Sequence, residues 1–219
     1  EFRRVLFRSP LISWLILKGK CRNCGAKISA QYPIVEGLNG IMYIISFIAF
    51  GVSWKAIIYC LFFSLLIVIG FMDWNTLEID IRTLIGIVLL VIPSIIFKVD
   101  NLSILQRIIG AICISVPFFI IGEVSGAYIK KKTGEKIRGI ELGDTFLMLC
   151  AGLIVGPKIV CVSAFFGVIL AAVCGMIYKH ITGSSKFAFG PYLSIGIALA
   201  SIFGNQLINW YVSNFLTFE

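Results

Sequence analysis

Seven stretches of this chain carry no charged side chain: residues 37–54, 56–72, 83–97, 108–122, 145–157, 159–178 and 187–218. A helix needs about 17–25 mostly apolar residues to cross a bilayer. Several of the runs reach that length, and others do once a flanking residue or two is added. Strict polar–apolar alternation, the mark of a membrane β-barrel, is absent. The predicted fold is therefore all-α, a polytopic transmembrane helical bundle of about six to seven spans. Composition agrees. The chain is 59% hydrophobic and 14% charged, against about 45–50% and 25% in a soluble domain.

The formal net charge is +8. In a soluble protein that excess would suggest nucleic acid. In a membrane protein it reads as topology, because Lys and Arg gather in loops that stay in the cytoplasm. One rich loop holds Lys18, Lys20, Arg22 and Lys27, another Lys130, Lys131, Lys132, Lys136 and Arg138, and Lys179 and Lys186 flank a third. The alternate loops carry only Lys55, then Lys98 and Arg107, then Lys158. Threading the chain through the runs puts every rich loop on one face. That face is the cytoplasmic one, with the bilayer as a partner and no nucleic acid.

Residues 1–9, with three arginines and no uncharged core, do not read as a secretory signal. They are expected to be a non-native or disordered basic leader. Residues 10–32 read as the remnant of a cytoplasmic Cys-x-x-Cys domain, and residues 33–219 as the transmembrane domain. Spans are expected over about 33–51, 54–72, 81–97 and 102–122. A short apolar segment over 145–155 ends at Gly156-Pro157, and further spans follow over 159–178 and 187–203. Residues 73–82 read as a tight polar turn, and Asp100 or Asn101 as the cap of the next helix. Residues 123–143 form the longest polar segment, with a flexible loop around KKKTGEKIRG. Trp210 and Tyr211 read as an interfacial anchor.

Two acids stand at the borders of apolar runs, Asp73 in FMDWNTLEIDIRT and Asp144 in GIELGDTFLML. Each alone reads as a helix cap in a hydrated loop, or as a functional carboxylate, because an acid at a membrane boundary needs a partner or a task. Gly139 and Gly143 permit tight turns and close approach of a substrate strand. Glu78 and Asp80 either solvate the turn beside Asp73 or support it. Glu141 either repels the charge of Asp144 or faces water. Glu36 either caps its helix or belongs to a second site. Cys21 and Cys24 form a Cys-x-x-Cys in a basic loop, half of a tetrahedral zinc site, with only His180 as a further candidate ligand. The other five cysteines lie in apolar runs and read as packing residues.

Taken in order, CRNCGAKISAQYP-x-x-E, then D-x-x-T-x-E-I, then G-x-x-x-G-D resemble the prepilin peptidases, the type IV leader peptidases. FAFGPYLSIG near the C-terminus is similar to the start of that family's last helix. The resemblance covers residues 10–210. It implies an aspartic-type endopeptidase in which Asp73 and Asp144 are the catalytic pair. The substrate it implies is a pilin-like precursor with a short basic leader and an apolar helix. It also implies a possible zinc at Cys21 and Cys24, and S-adenosylmethionine if an N-methyltransferase activity is retained. Proteolysis by two carboxylates requires no cofactor. Three positions depart from the family pattern: Glu141 stands for a Gly, Phe146 for a Lys and Asp80 for a Pro. The rival readings are an inactive structural protein of a pilus or secretion system, and a small transporter with a carboxylate relay.

Overall fold

A computed structural model describes residues 10–133, 140–183 and 187–216. Its helices are α1 (Pro10–Ile16), α2 (Gln31–Phe50), α3 (Trp54–Thr76), α4 (Ile81–Ile96), α5 (Ile104–Thr133), α6 (Leu142–Thr182) and α7 (Gly190–Tyr211), followed by a π-turn, Val212–Leu216. Among the described residues there is no strand, only a bridge between Lys20 and Lys27. Five helices, α2, α3, α5, α6 and α7, are long and apolar enough to cross a membrane, and α4 is a shorter apolar helix.

Helix α6 is two helices. As one rod its 41 residues would reach about 60 Å at 1.5 Å per residue, twice the hydrocarbon core of a bilayer. At Gly156 the backbone takes φ 78° and ψ 174°, a conformation that glycine adopts without a Cβ penalty. Pro157 follows. The first arm packs on α5, where Gly110 meets Gly152 and Gly156 so closely that a methyl would collide. The second arm runs along α7, with Ile159 beside Gly204 and Gly167 beside Leu193, and its end meets Phe187 just before α7, beside Gly175. Gly190 at the start of α7 touches Asp73, whose charge reaches Glu141 at the start of the first arm. Both ends of α6 therefore lie at one end of the bundle, and Gly156-Pro157 is the reversal. Counting both arms, the bundle has seven legs, in line with the expected six to seven.

Proline has no N–H, so Pro157 leaves the Leu153 carbonyl without its helical partner. Arg107, only 2% exposed, donates from Nη1 to that carbonyl at 2.8 Å. The turn is thus closed by a side chain from α5. At the same end Lys55 pairs with Asp100 at 2.5 Å, and the Tyr59 hydroxyl donates to the other Asp100 oxygen at 3.3 Å. Asp100 is not the cap of α5. Ser103 and Gln106 form a reciprocal box there, Gln106 N to Ser103 Oγ at 3.2 Å and Ser103 N to Gln106 Oε1 at 2.9 Å, because a hydroxyl followed three residues later by Gln meets both free amides.

The core is a belt of Phe62, Phe63, Leu66 and Ile69 from α3, Ile87 from α4, Leu147, Met148 and Ile154 from α6, and Leu193 and Ile197 from α7. Large apolar side chains also stand outward, such as Ile108, Ile112 and Phe119 on α5. Lipid solvates such a surface as well as protein does, so helix contacts rely on close backbone approach instead.

Candidate active site

Helix α3 runs four residues past the expected end of its span, so Asp73 is in its last turn and not at a border. The helix stops at Leu77, which is left-handed (φ 56°) and donates its N–H to the Asp73 carbonyl at 2.9 Å. Thr76 stitches the turn, its hydroxyl donating to the carbonyls of Met72 at 2.8 Å and Glu78 at 3.1 Å. Asp80 caps α4, accepting from the Arg82 amide at 2.8 Å.

Asp73 is 5% exposed. The C-terminal end of a helix is a poor place for negative charge. A second helix offsets this: the Gly190 amide in the first turn of α7 donates to Asp73 Oδ2 at 2.8 Å. A helix N-terminus offers free N–H groups to an anion. Only glycine allows the approach, since a methyl at position 190 would lie 2.8 Å from that oxygen. Phe189 just before it packs against Phe118 of α5, with ring centroids 6.2 Å apart.

Asp144 is 3% exposed. The cap position of α6 belongs to Glu141, whose side chain makes no capping bond. Asp144 is three residues on, and its carboxyl accepts the Glu141 backbone N–H, the return half of a capping box. Its Oδ1 is buried with no hydrogen-bond partner. Asp144 lies within electrostatic reach of both Asp73 and Glu141. Gly143 is helical and not a turn glycine. What approaches it is Ile79 of the same chain, 3.1 Å from where a Cβ would stand, so Gly143 lets α6 settle against the turn that follows Asp73. Gly139 lies outside the described residues.

Glu141 and Glu78 are exposed at the rim. Partial burial, then the charges of Asp73 and Glu78, hold the Glu141 carboxyl above its ordinary value. A raised carboxyl favours the folded state at low pH. That benefit is complete below the unfolded pKa and is lost as pH rises through the raised folded one. Glu141→Gln should therefore raise thermal stability at neutral and alkaline pH and leave it unchanged in acid, as scanning calorimetry in detergent would read.

The remaining sequence candidates stand apart. Glu36 accepts the Leu11 amide at 3.0 Å and so caps α1, not its own helix. Cys21 and Cys24 form a knuckle in which Cys21 N donates to Ala26 O at 2.8 Å and Gly25 N to Cys21 O at 3.0 Å. The amides of Cys24 and Asn23 point at the Cys21 sulfur and hold its thiol below the usual value. That shape suits a thiolate ligand, but it supplies two ligands of four. Among the described residues no group of three or more His, Cys, Asp or Glu is placed for a metal. Sequence reasoning missed Gly190; its only signal was the FAFGPYLSIG phrase.

The arrangement brings two buried carboxyls from different helices to one end of the bundle, one fixed by a backbone amide and the other with a free oxygen. Such a pair can share a proton and activate a water between them.

Comparison with known proteins follows the same lines. The model of the bacterial peptidase A24 N-terminal domain matches residues 4–50, and that of the type IV leader peptidase family matches residues 60–178. A type 4 prepilin-like proteins leader peptide-processing enzyme of Escherichia coli O78:H11 is 29% identical, over 91% of this chain and 71% of its own. Prepilin leader peptidase/N-methyltransferases of Aeromonas hydrophila and Bacillus subtilis are each 27% identical, over 94% and 93% of this chain and 70% and 78% of their own. No solved structure matches.

Proposed function

Since the chain belongs to the type IV leader peptidase family and is a multi-pass membrane protein, we propose that it is an aspartic endopeptidase that removes the leader of pilin-like precursors at the cytoplasmic face. The observation that carries this reading is that Asp73 and Asp144, two buried carboxyls on separate helices, lie within electrostatic reach of each other. The basic loops support the orientation: Lys18–Lys27 precedes α2, Lys130 and Lys131 end α5 and Lys179 ends α6, all at the end that holds the two acids.

In this mechanism the pair holds one proton, because two adjacent carboxylates resist ionising together. The ionised member takes a proton from water as the water attacks the scissile carbonyl. The protonated member polarises that carbonyl and then protonates the leaving amine. Gly190 keeps Asp73 aimed, and the capping contact does the same for Asp144. The two carboxyls titrate as a unit, so the acid and base roles belong to the pair. A transporter relay needs acids at mid-span, whereas Asp73 and Asp144 lie in terminal turns.

The test is cleavage of a purified pilin-like precursor by the chain in lipid nanodiscs, followed by intact-mass analysis across pH. The expected profile of kcat/KM is bell-shaped, falling on the acid side as the base is protonated and on the alkaline side as the acid is lost. A precursor left whole at every pH would favour the inactive structural reading.

A further inference from the structure

The cysteines of the apolar runs read as packing residues, and Cys60 and Cys150 are indeed buried. Cys113 of α5 and Cys161 on the second arm of α6 are not. Cys113 is half-buried and Cys161 is exposed. Both are free thiols, yet their sulfurs meet at 3.3 Å across 48 positions of the chain. An S–S bond is about 2.0 Å long, so the two sulfurs need close by only about 1 Å to be joined.

The contact sits where the fold reverses. Gly110 of α5 meets Gly152 and Gly156 of the first arm, and Cys113 is three residues further on, on the same side of α5. Cys161 is four residues past Pro157, about 6 Å along the second arm. Within one turn α5 therefore touches both arms. The Gly156 backbone and the Arg107 bond to the Leu153 carbonyl act at the turn and the first arm. The thiol pair adds a contact from α5 to the second arm. Lys158, one turn before Cys161, is exposed. A lysine at a helix end keeps its charge at the headgroup level, where water reaches. The pair thus lies at the shallow edge of the bilayer, within reach of a small water-borne oxidant. It is also at the end of the bundle opposite Asp73 and Asp144. In the orientation proposed above, that end faces away from the cytoplasm, toward the compartment in which disulfides form and persist.

We propose that Cys113 and Cys161 are a redox-modification site, in which oxidation joins them in a disulfide that clamps the second arm of α6 to α5 beside the Gly156-Pro157 reversal. The oxidant is hydrogen peroxide. One thiol takes an oxygen from it and becomes a sulfenic acid, and the first water leaves. The second thiol then attacks that sulfur, the S–S bond forms, and the hydroxyl departs with the second thiol's proton as another water. Two thiols lose two electrons and two protons, and one peroxide becomes two waters. A thiol reductant reverses the step. The site uses neither Asp73 nor Asp144, so it stands or falls apart from the proteolytic reading.

The test uses the full chain carrying Cys21→Ser and Cys24→Ser, which removes the other neighbouring thiol pair, with the native chain run in parallel. Each is treated in nanodiscs with hydrogen peroxide, remaining thiols are blocked with N-ethylmaleimide, and the digest is mapped by mass spectrometry without reductant. The expected product is a Cys113–Cys161 linked peptide, lighter by two hydrogens and lost on reduction. The melting temperature should rise by about 5–10 °C, the scale for a disulfide that closes a loop of this length. Adding Cys161→Ser should abolish both changes. Full N-ethylmaleimide labelling of Cys113 and Cys161 after peroxide, their pairing with other cysteines, or bridges between two molecules would overturn the site. The linked peptide with an unchanged melting temperature would overturn the clamp.

Discussion

Asp73→Asn and Asp144→Asn are each expected to slow leader removal by about 10³-fold, within the 10²–10⁴-fold range of a positioned acid or base. The amide keeps the shape of the carboxyl but can neither take a proton from water nor give one to the leaving amine. Both side chains are almost fully buried, and the substitutions keep their volume, so the fold should stay intact. The unpartnered Oδ1 of Asp144 makes its replacement by an amide tolerable. In the Asp73→Asn variant the side-chain amide still offers one oxygen to the Gly190 N–H. The bell-shaped pH profile should vanish with the rate. Intact-mass analysis of the precursor, beside a melting curve of each variant, separates lost chemistry from lost folding.

Gly190→Ala is the next largest expected effect, a loss of about 10²-fold with the protein still folded. The added methyl would meet Asp73 Oδ2 at 2.8 Å and its Cγ at 3.0 Å, so the carboxyl must swing away from the α7 amide. A misplacement of about 1 Å at a reacting group is enough for a loss of that size. Overpacking costs about 1–3 kcal/mol of stability, which melting in detergent would register as a modest fall. The effect should fall on kcat more than on KM, because this contact aims a reacting group and does not bind the body of the substrate. Kinetics on the precursor with native and variant protein read that split.

The legs of the bundle were legible because lipid demands long uncharged runs, and the Gly156-Pro157 reversal because glycine takes backbone angles closed to other residues and the proline after it removes a helical hydrogen bond. The helix ends were less legible. Asp73 reads as a border residue since charge is the only visible signal there, yet α3 continues to Thr76 and stops where Leu77 turns left-handed. Asp144 reads as a cap, but Glu141 takes that position and leaves Asp144 turned inward. Asp100 looks like a cap and is instead the partner of Lys55, 45 positions away. The bond from Gly190 to Asp73 spans 117 positions, and no local pattern encodes it. What the sequence order does carry is the order of the motifs, and in the structure one helix end and two helix starts come to the same end of the bundle.

The central claim is that Asp73 and Asp144 act as one unit. Single-turnover cleavage by the double variant, Asp73→Asn with Asp144→Asn, tests it most directly. Groups that act together are not additive, so the double variant should be no slower than the slower single variant. A loss equal to the product of the two single losses would show two independent contributions and would contradict the shared pair.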